Sequence, residues 1–196
     1  VCDVCAVDQV AVREAVADLG LDASVLPLDV HTLSDLQAAI ERLGAAVGRS
    51  ATAADVIEAL RDRLAAIRAA TGDPDSGPRV LVLDWPDPPM VAGHWVPELV
   101  AAAGGRYGLA DPGAASRPRE WSAIRDYDPE VLIVAPCGFE VARTRAHLDG
   151  LRDRAGWDDL AAVRDGRLAA VDGHHHVNRA GPRLVRTAAL FAGVLA

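Results

Sequence analysis

The chain has 196 residues, 51% of them apolar, with 28 acidic and 20 basic side chains and a net charge of −8. At roughly 150 residues per domain this is one large domain or one and a half, and the apolar share excludes wholesale disorder. The acidic balance argues against a nucleic-acid binder held by phosphate contacts. All 20 basic residues are arginine, which excludes a Schiff-base lysine and a phosphate-loop lysine. No run reaches the roughly 18 apolar residues of a membrane span, and no signal peptide is visible. The chain starts at Val1 in a Cys-rich turn, and an upstream segment is expected to be missing. Three cysteines (Cys2, Cys5, Cys137) are too few for a disulfide scaffold.

Helical spacing of Val7, Val10, Ala11 and Ala15, closed by Gly20, predicts a first helix over 7–18. Ser24–Leu28 reads as a short strand. Ser34 precedes a second helical run (Leu36, Ala39, Ile40, Leu43), whose end Gly44 and Gly48 weaken. Thr52 is the expected cap of a longer helix with Val56, Leu60, Leu64 and Ile67 on one face. Residues 72–78 read as a linker, and 79–83 as a buried strand. The stretch 84–95, with three prolines and two tryptophans, is expected to be irregular. Helices are expected over 96–103, from 139 through His147, and over 182–195. Further buried strands are expected over 131–135 and 168–171.

Alternating strands and helices indicate an α/β domain with a mostly parallel sheet. Ligands of such sheets sit outside the carboxyl ends of the strands. Segments 84–95, 136–139 and 172–179 each follow a strand, so they should converge on one edge. The first carries Trp85, Met90, His94 and Trp95, a Pro-stiffened set that suits a flat apolar ligand or else caps the sheet. His174-His175-His176 reads as cleft-facing and solvated side chains, or as a metal site with His94 or Cys137 as partner. Consecutive extended residues point to opposite faces, which counts against one ion binding all three. Cys2-Asp3-Val4-Cys5 is a lone CxxC, a weak zinc signal, and reads as packing at a turn. Arg179 and Arg183 flank Gly181-Pro182 and read as an anion cradle or as a surface pair. No GxSxG, GxGxxG, HExxH or phosphate-loop motif occurs.

The stretches CDVCAV (2–7), LDWPDPPMVAGHWVPELV (83–100), AGG (103–105), DPEVLIVAPCGF (128–139) and NRAGPRLV (178–185) resemble the cobalamin-binding-protein branch of the ABC-transporter substrate-binding proteins. The resemblance covers nearly the whole chain. It implies two Rossmann-like α/β lobes joined by a long backbone helix, the class III periplasmic-binding-protein architecture, with the first lobe incomplete. Residues 1–47 then correspond to the C-terminal part of the N-terminal lobe, 48–72 to the linking helix and 79–196 to the C-terminal lobe. It further implies a corrinoid, cobalamin or a precursor, held between the lobes and delivered to a membrane permease. The positions carried over as ligand-binding are Cys2, Asp3 and Cys5 on the first lobe. On the second they are Trp85, Pro89, Met90, Gly93, His94, Trp95, Gly138, Phe139, His175, His176 and Arg179. Glu120 is the candidate for docking on the permease.

The implied protein is a non-enzymatic monomer with no cofactor beyond its cargo, located in the periplasm or elsewhere outside the cytoplasm. Two other readings remain. The same fold could carry haem or an iron-siderophore; an Arg-rich cleft favours an anionic siderophore, and a Trp/His/Met cleft a tetrapyrrole-like plane. A metal-dependent enzyme would use His94, Cys137 and His174–His176, but the absence of a positioned Glu base counts against it.

Overall fold

The structure, a computed structural model, describes residues 9–196. Helix α1 spans Gln9–Asp18. The strand expected over Ser24–Leu28 does not form: Pro27 removes a donor, and among the described residues no strand pairs with it.

Helix α2 covers Leu33–Ala46, and its cap is Thr32, two residues before the expected Ser34. The Thr32 hydroxyl accepts from the Asp35 N–H (3.1 Å), and the Asp35 carboxylate accepts from the Thr32 N–H (2.8 Å), a capping box with Asp in the reciprocal role. Gly44 does more than weaken the helix end. A Cβ there would lie 2.4 Å from that of Ala53, so Gly44 permits the close crossing with α3. Helix α3, Ser50–Thr71, has 22 residues, a rod of about 33 Å. Thr52 lies inside its first turn and does not cap it; Arg49 occupies the cap without a side-chain bond. Leu64 is buried, and Leu60 and Ile67 pack beside it on the main core, as their spacing predicts.

A short 3-10 turn at Pro74–Ser76 interrupts the linker. Strand β1, Arg79–Pro86, runs three residues further than expected. It folds back on β2, Pro89–Val91, with Trp85 opposite Met90 and Pro86 opposite Pro89. The 84–95 stretch is therefore largely a β-hairpin. Its prolines are accommodated at the turn and beside a register shift between Leu83 and Trp85, positions where a missing ladder donor is tolerated. Helix α4 (Val96–Ala102) leads to β3 (Arg106–Tyr107), which pairs parallel with the start of β1. Strand β4 (Arg117–Pro118) pairs antiparallel with β2. After α5 (Trp121–Tyr127) comes β5 (Val131–Val134), parallel to β1 on its other side. Helices α6 (Val141–Ala146), α7 (Asp149–Arg152) and α8 (Ala161–Arg164) precede β6 (Leu168–Ala170), parallel to β5. Helix α9, Leu184–Leu195, starts two residues after Pro182.

Strands β1 and β5 are covered on both faces, which explains their unbroken apolar runs. Val80, Val82, Val131 and Ile133 point into a core shared with α2, α3, α4 and α9. Their alternates Leu81, Leu83, Leu132 and Val134 enter a second core with Ile124, Leu151, Trp157 and Leu160. Val10, Val12, Leu19, Leu21, Leu26, Leu43 and Val47 are exposed large apolar side chains, all within the first 47 residues. Among the described residues no helix is long and apolar enough to cross a membrane.

Candidate functional site

From β1 the chain moves through α4 to β3 on one side, and later returns to β5 on the other side of β1. The connections leaving β1 and β5 pass to opposite faces, because α4 packs in the first core and Leu148 and Leu151 in the second. This reversal makes the carboxyl ends of β1 and β5 the topological switch point, the place where open α/β sheets bind ligands. The three expected segments do meet there. The Cys137 N–H donates to the Asp84 carbonyl (3.1 Å), and the His174 N–H to the Phe139 carbonyl (3.2 Å). Trp95 Nε1–H donates to the Val177 carbonyl (2.9 Å) and Asn178 Nδ2 to the Ala135 carbonyl (2.8 Å).

Segment 173–177 is a single π-helical turn, not an extended loop. Gly173 begins it, and a Cβ there would lie 2.2 Å from the Pro136 carbonyl oxygen, so only glycine allows this approach. The turn places the three histidines differently. His175 is exposed, and its backbone N–H and ring Nδ1 both bond the Asp172 carboxylate (2.7 and 2.8 Å). Burial pushes the Asp172 pKa up, but those hydrogen bonds outweigh it and hold the carboxyl below its ordinary value. His174 packs edge-on against His175 and lies 3.2 Å from the Arg179 guanidinium. His176 is half-buried, and its carbonyl accepts from Thr187.

The aromatic residues divide into shelf and support. Trp85 is half-buried on the hairpin beside half-buried Met90, and its indole N–H donates to the Asp87 carbonyl (3.0 Å). Phe139 meets Trp85 edge-on at 5.3 Å, and the Arg143 guanidinium covers its ring at 3.8 Å. Being only 4% exposed, Phe139 props the shelf. Trp95 is also buried, as are Pro89 and Gly93. The Gly93 N–H donates to Ser116, and a Cβ on it would lie 2.1 Å from the Ala114 carbonyl oxygen. Trp95, Pro89, Gly93 and Phe139 therefore serve as framework in this arrangement, and the accessible set is Trp85, Met90, His94, Gly138, His175, His176 and Arg179. Cys2, Asp3 and Cys5 lie outside the described residues. Cys137 is an exposed free thiol. Glu120 is exposed at the cap of α5, just after β4. Among the described residues no three His, Cys, Asp or Glu side chains group as ligands of one metal ion.

Two features were not singled out from sequence. Asp84 ends the regular part of β1 beneath the hairpin. Its Oδ1 is buried without a hydrogen-bond partner among the described residues. Burial raises its pKa to about 6, against a lowering hydrogen bond from Ser116. The same carboxylate, after burial itself, helps push the Tyr107 phenol above its ordinary value. The second feature is His31, whose Nδ1 lies 3.1 Å from that of His94. It is 63 residues away in sequence, and no local pattern announces it.

The chain matches the periplasmic binding protein family over residues 3–174. No curated protein matches it. An ABC transporter substrate-binding protein from Listeria monocytogenes EGD-e superposes with a TM-score of 0.81 at 17% identity, over 95% of this chain and 72% of that one. A periplasmic haem-binding protein from Roseiflexus sp. RS-1, in apo form, gives 0.75 at 24% identity, over 97% and 74%. The periplasmic vitamin B12 binding protein of Vibrio cholerae gives 0.70 at 18% identity, over 96% and 70%. These likenesses agree with the α/β architecture and its long helix, and the family match spans most of the sequence: the chain belongs to the periplasmic binding protein family.

Proposed function

We propose that this protein is the substrate-binding component of an ABC importer and captures a corrinoid, cobalamin or a precursor, for delivery to a membrane permease. The observation that carries the reading is the Trp85–Met90 shelf, propped by Phe139 at the switch point between β1 and β5. A corrin ring has a broad apolar face and an amide-bearing rim. The shelf offers apolar area to the face, and His175, His176 and Arg179 offer hydrogen-bonding groups to the rim. Residues 1–47 would belong to one lobe, 48–72 to the linking helix and 79–196 to the other lobe, and the exposed apolar side chains of the first 47 residues support that division. A rigid helix between lobes limits hinge motion, so closure on the cargo is small. Glu120 is the proposed contact with the permease, and the protein works as a monomer outside the cytoplasm.

Haem is the second reading. The half-exposed His94 and the Arg179 guanidinium favour it, since imidazole ligates haem iron and arginine pairs with propionates. Titration with cyanocobalamin, cobinamide and haem, followed by visible absorbance and Trp fluorescence, separates the two. Saturable corrinoid binding, weakened at least tenfold in a folded Trp85→Ala variant, is the expected result. Haem binding without corrinoid binding overturns the cargo and keeps the fold.

A further inference from the structure

We propose that His31 and His94 form a binding site for a divalent transition-metal ion, with Asp29 as the positioning residue. This inference shares His94 with the haem reading but depends on neither cargo, because it is argued from protein side chains alone. His31 Nε2 lies 2.9 Å from Asp29 Oδ1. With Nε2–H donating to the carboxylate, the Nδ1 lone pair faces His94. A carboxylate on the far ring nitrogen is the usual support of a metal-ligating histidine, because it fixes the tautomer and raises ligand basicity. His31 Nδ1 and His94 Nδ1 are 3.1 Å apart, with ring centroids at 5.1 Å. With metal–nitrogen bonds of about 2.0–2.1 Å, that separation subtends about 95–100° at a shared ion, between octahedral and tetrahedral values.

Both rings are held from the backbone. The His31 N–H donates to Asp35 Oδ2 (3.1 Å) at the entry to α2. His94 has a φ of +51°, the left-handed region, where a non-glycine residue is uncommon. Two bonds keep it there: its N–H donates to the Ala114 carbonyl (2.6 Å), and its carbonyl accepts from the Gly113 N–H (2.9 Å). Strain of this kind concentrates where a side chain must be aimed. Here it brings the ring of the β2–α4 connection onto the ring of the segment before α2. Three carboxylates, Asp29, Asp35 and Glu98, gather around the α2 N-terminus beside the pair, which favours a cation. Imidazole nitrogen selects zinc, copper and nickel over magnesium or calcium.

The test is titration of the full chain with Zn²⁺ by calorimetry and with Cu²⁺ by Trp fluorescence. The Trp95 ring lies 5.7 Å from that of His94, within quenching range of bound copper. One equivalent should bind. His31→Ala and His94→Ala should each weaken binding at least tenfold, Asp29→Asn should weaken it less, and His147→Ala, on an exposed site elsewhere, should leave it unchanged. In the unsubstituted protein Zn²⁺ should shift the ring resonances of His31 and His94 before those of His174–His176, a readout that needs no variant to fold. Unchanged affinity in both His variants, or binding abolished by His174→Ala instead, overturns the proposal. So does a titration in which neither ring resonance moves.

Discussion

Replacing Asp84 by Asn should remove a pH dependence of stability that this one carboxyl creates. Its pKa is raised from 3.8 to about 6 by burial at the end of β1. Below pH 3.8 the group is neutral in both the folded and the unfolded chain and contributes nothing. Between pH 4 and 6 the unfolded chain releases the proton while the folded chain retains it, so folding stability falls as pH rises. Above pH 6 both states are ionised, and the native state bears the full cost of a buried charge. At 1.36 kcal/mol per pH unit, the loss between pH 4 and 7 is about 2 kcal/mol. Urea unfolding of the natural protein and of Asp84→Asn, followed by circular dichroism at pH 4, 5, 6 and 7, measures it. The difference between the two proteins should grow in favour of Asn across this range and then level off. Comparison with the variant cancels the opposite trend from Asp172, whose lowered pKa contributes stability that is lost as the pH falls. A constant difference between the proteins at all four pH values would refute the assignment of a buried charge to Asp84.

Other substitutions test the framework around the switch point. Trp95→Phe keeps the apolar contact but strands the Val177 carbonyl, and should cost about 1–3 kcal/mol in denaturant unfolding while leaving cargo affinity in the folded protein unchanged. Gly173→Ala forces a methyl group against two carbonyl oxygens and should destabilise by at least about 1–3 kcal/mol; an unaltered melting temperature would show that the π turn relaxes freely. Thr32→Ala removes the α2 cap and should cost about 1 kcal/mol, read in the same unfolding assay.

The parts of the fold that sequence reveals are those where a short pattern is sufficient. Two-sided burial makes β1 and β5 continuous apolar runs, and the 3.6-residue stripe Leu60, Leu64, Ile67 marks α3. The convergence of three loops on one edge followed from the alternation of strands and helices alone. What failed was decided by partners. Ser24–Leu28 has β-type residues but no neighbour to pair with among the described residues, whereas 84–91 is proline-rich yet pairs with itself. Thr32 caps α2 because Asp35 and Glu98 complete the arrangement, and Glu98 is 65 residues from the N–H it accepts.

The same physics sorts the candidate site. A tryptophan beside a ligand and a tryptophan beneath a loop look alike in sequence, because both belong to Pro- and Gly-rich segments after strands. The difference lies in where the indole N–H finds its acceptor. Trp95 reaches across 82 residues to the Val177 carbonyl, so its ring is committed to joining the hairpin segment to the π turn. Trp85 satisfies its N–H two residues away at Asp87, which leaves its outer face uncommitted. The double mutant Trp85→Ala with Trp95→Phe should therefore show independent losses, affinity from the first and stability from the second. Coupling of more than about 0.5 kcal/mol between them would mean that the shelf and its support are one unit, and that Trp95 tunes cargo binding through Trp85.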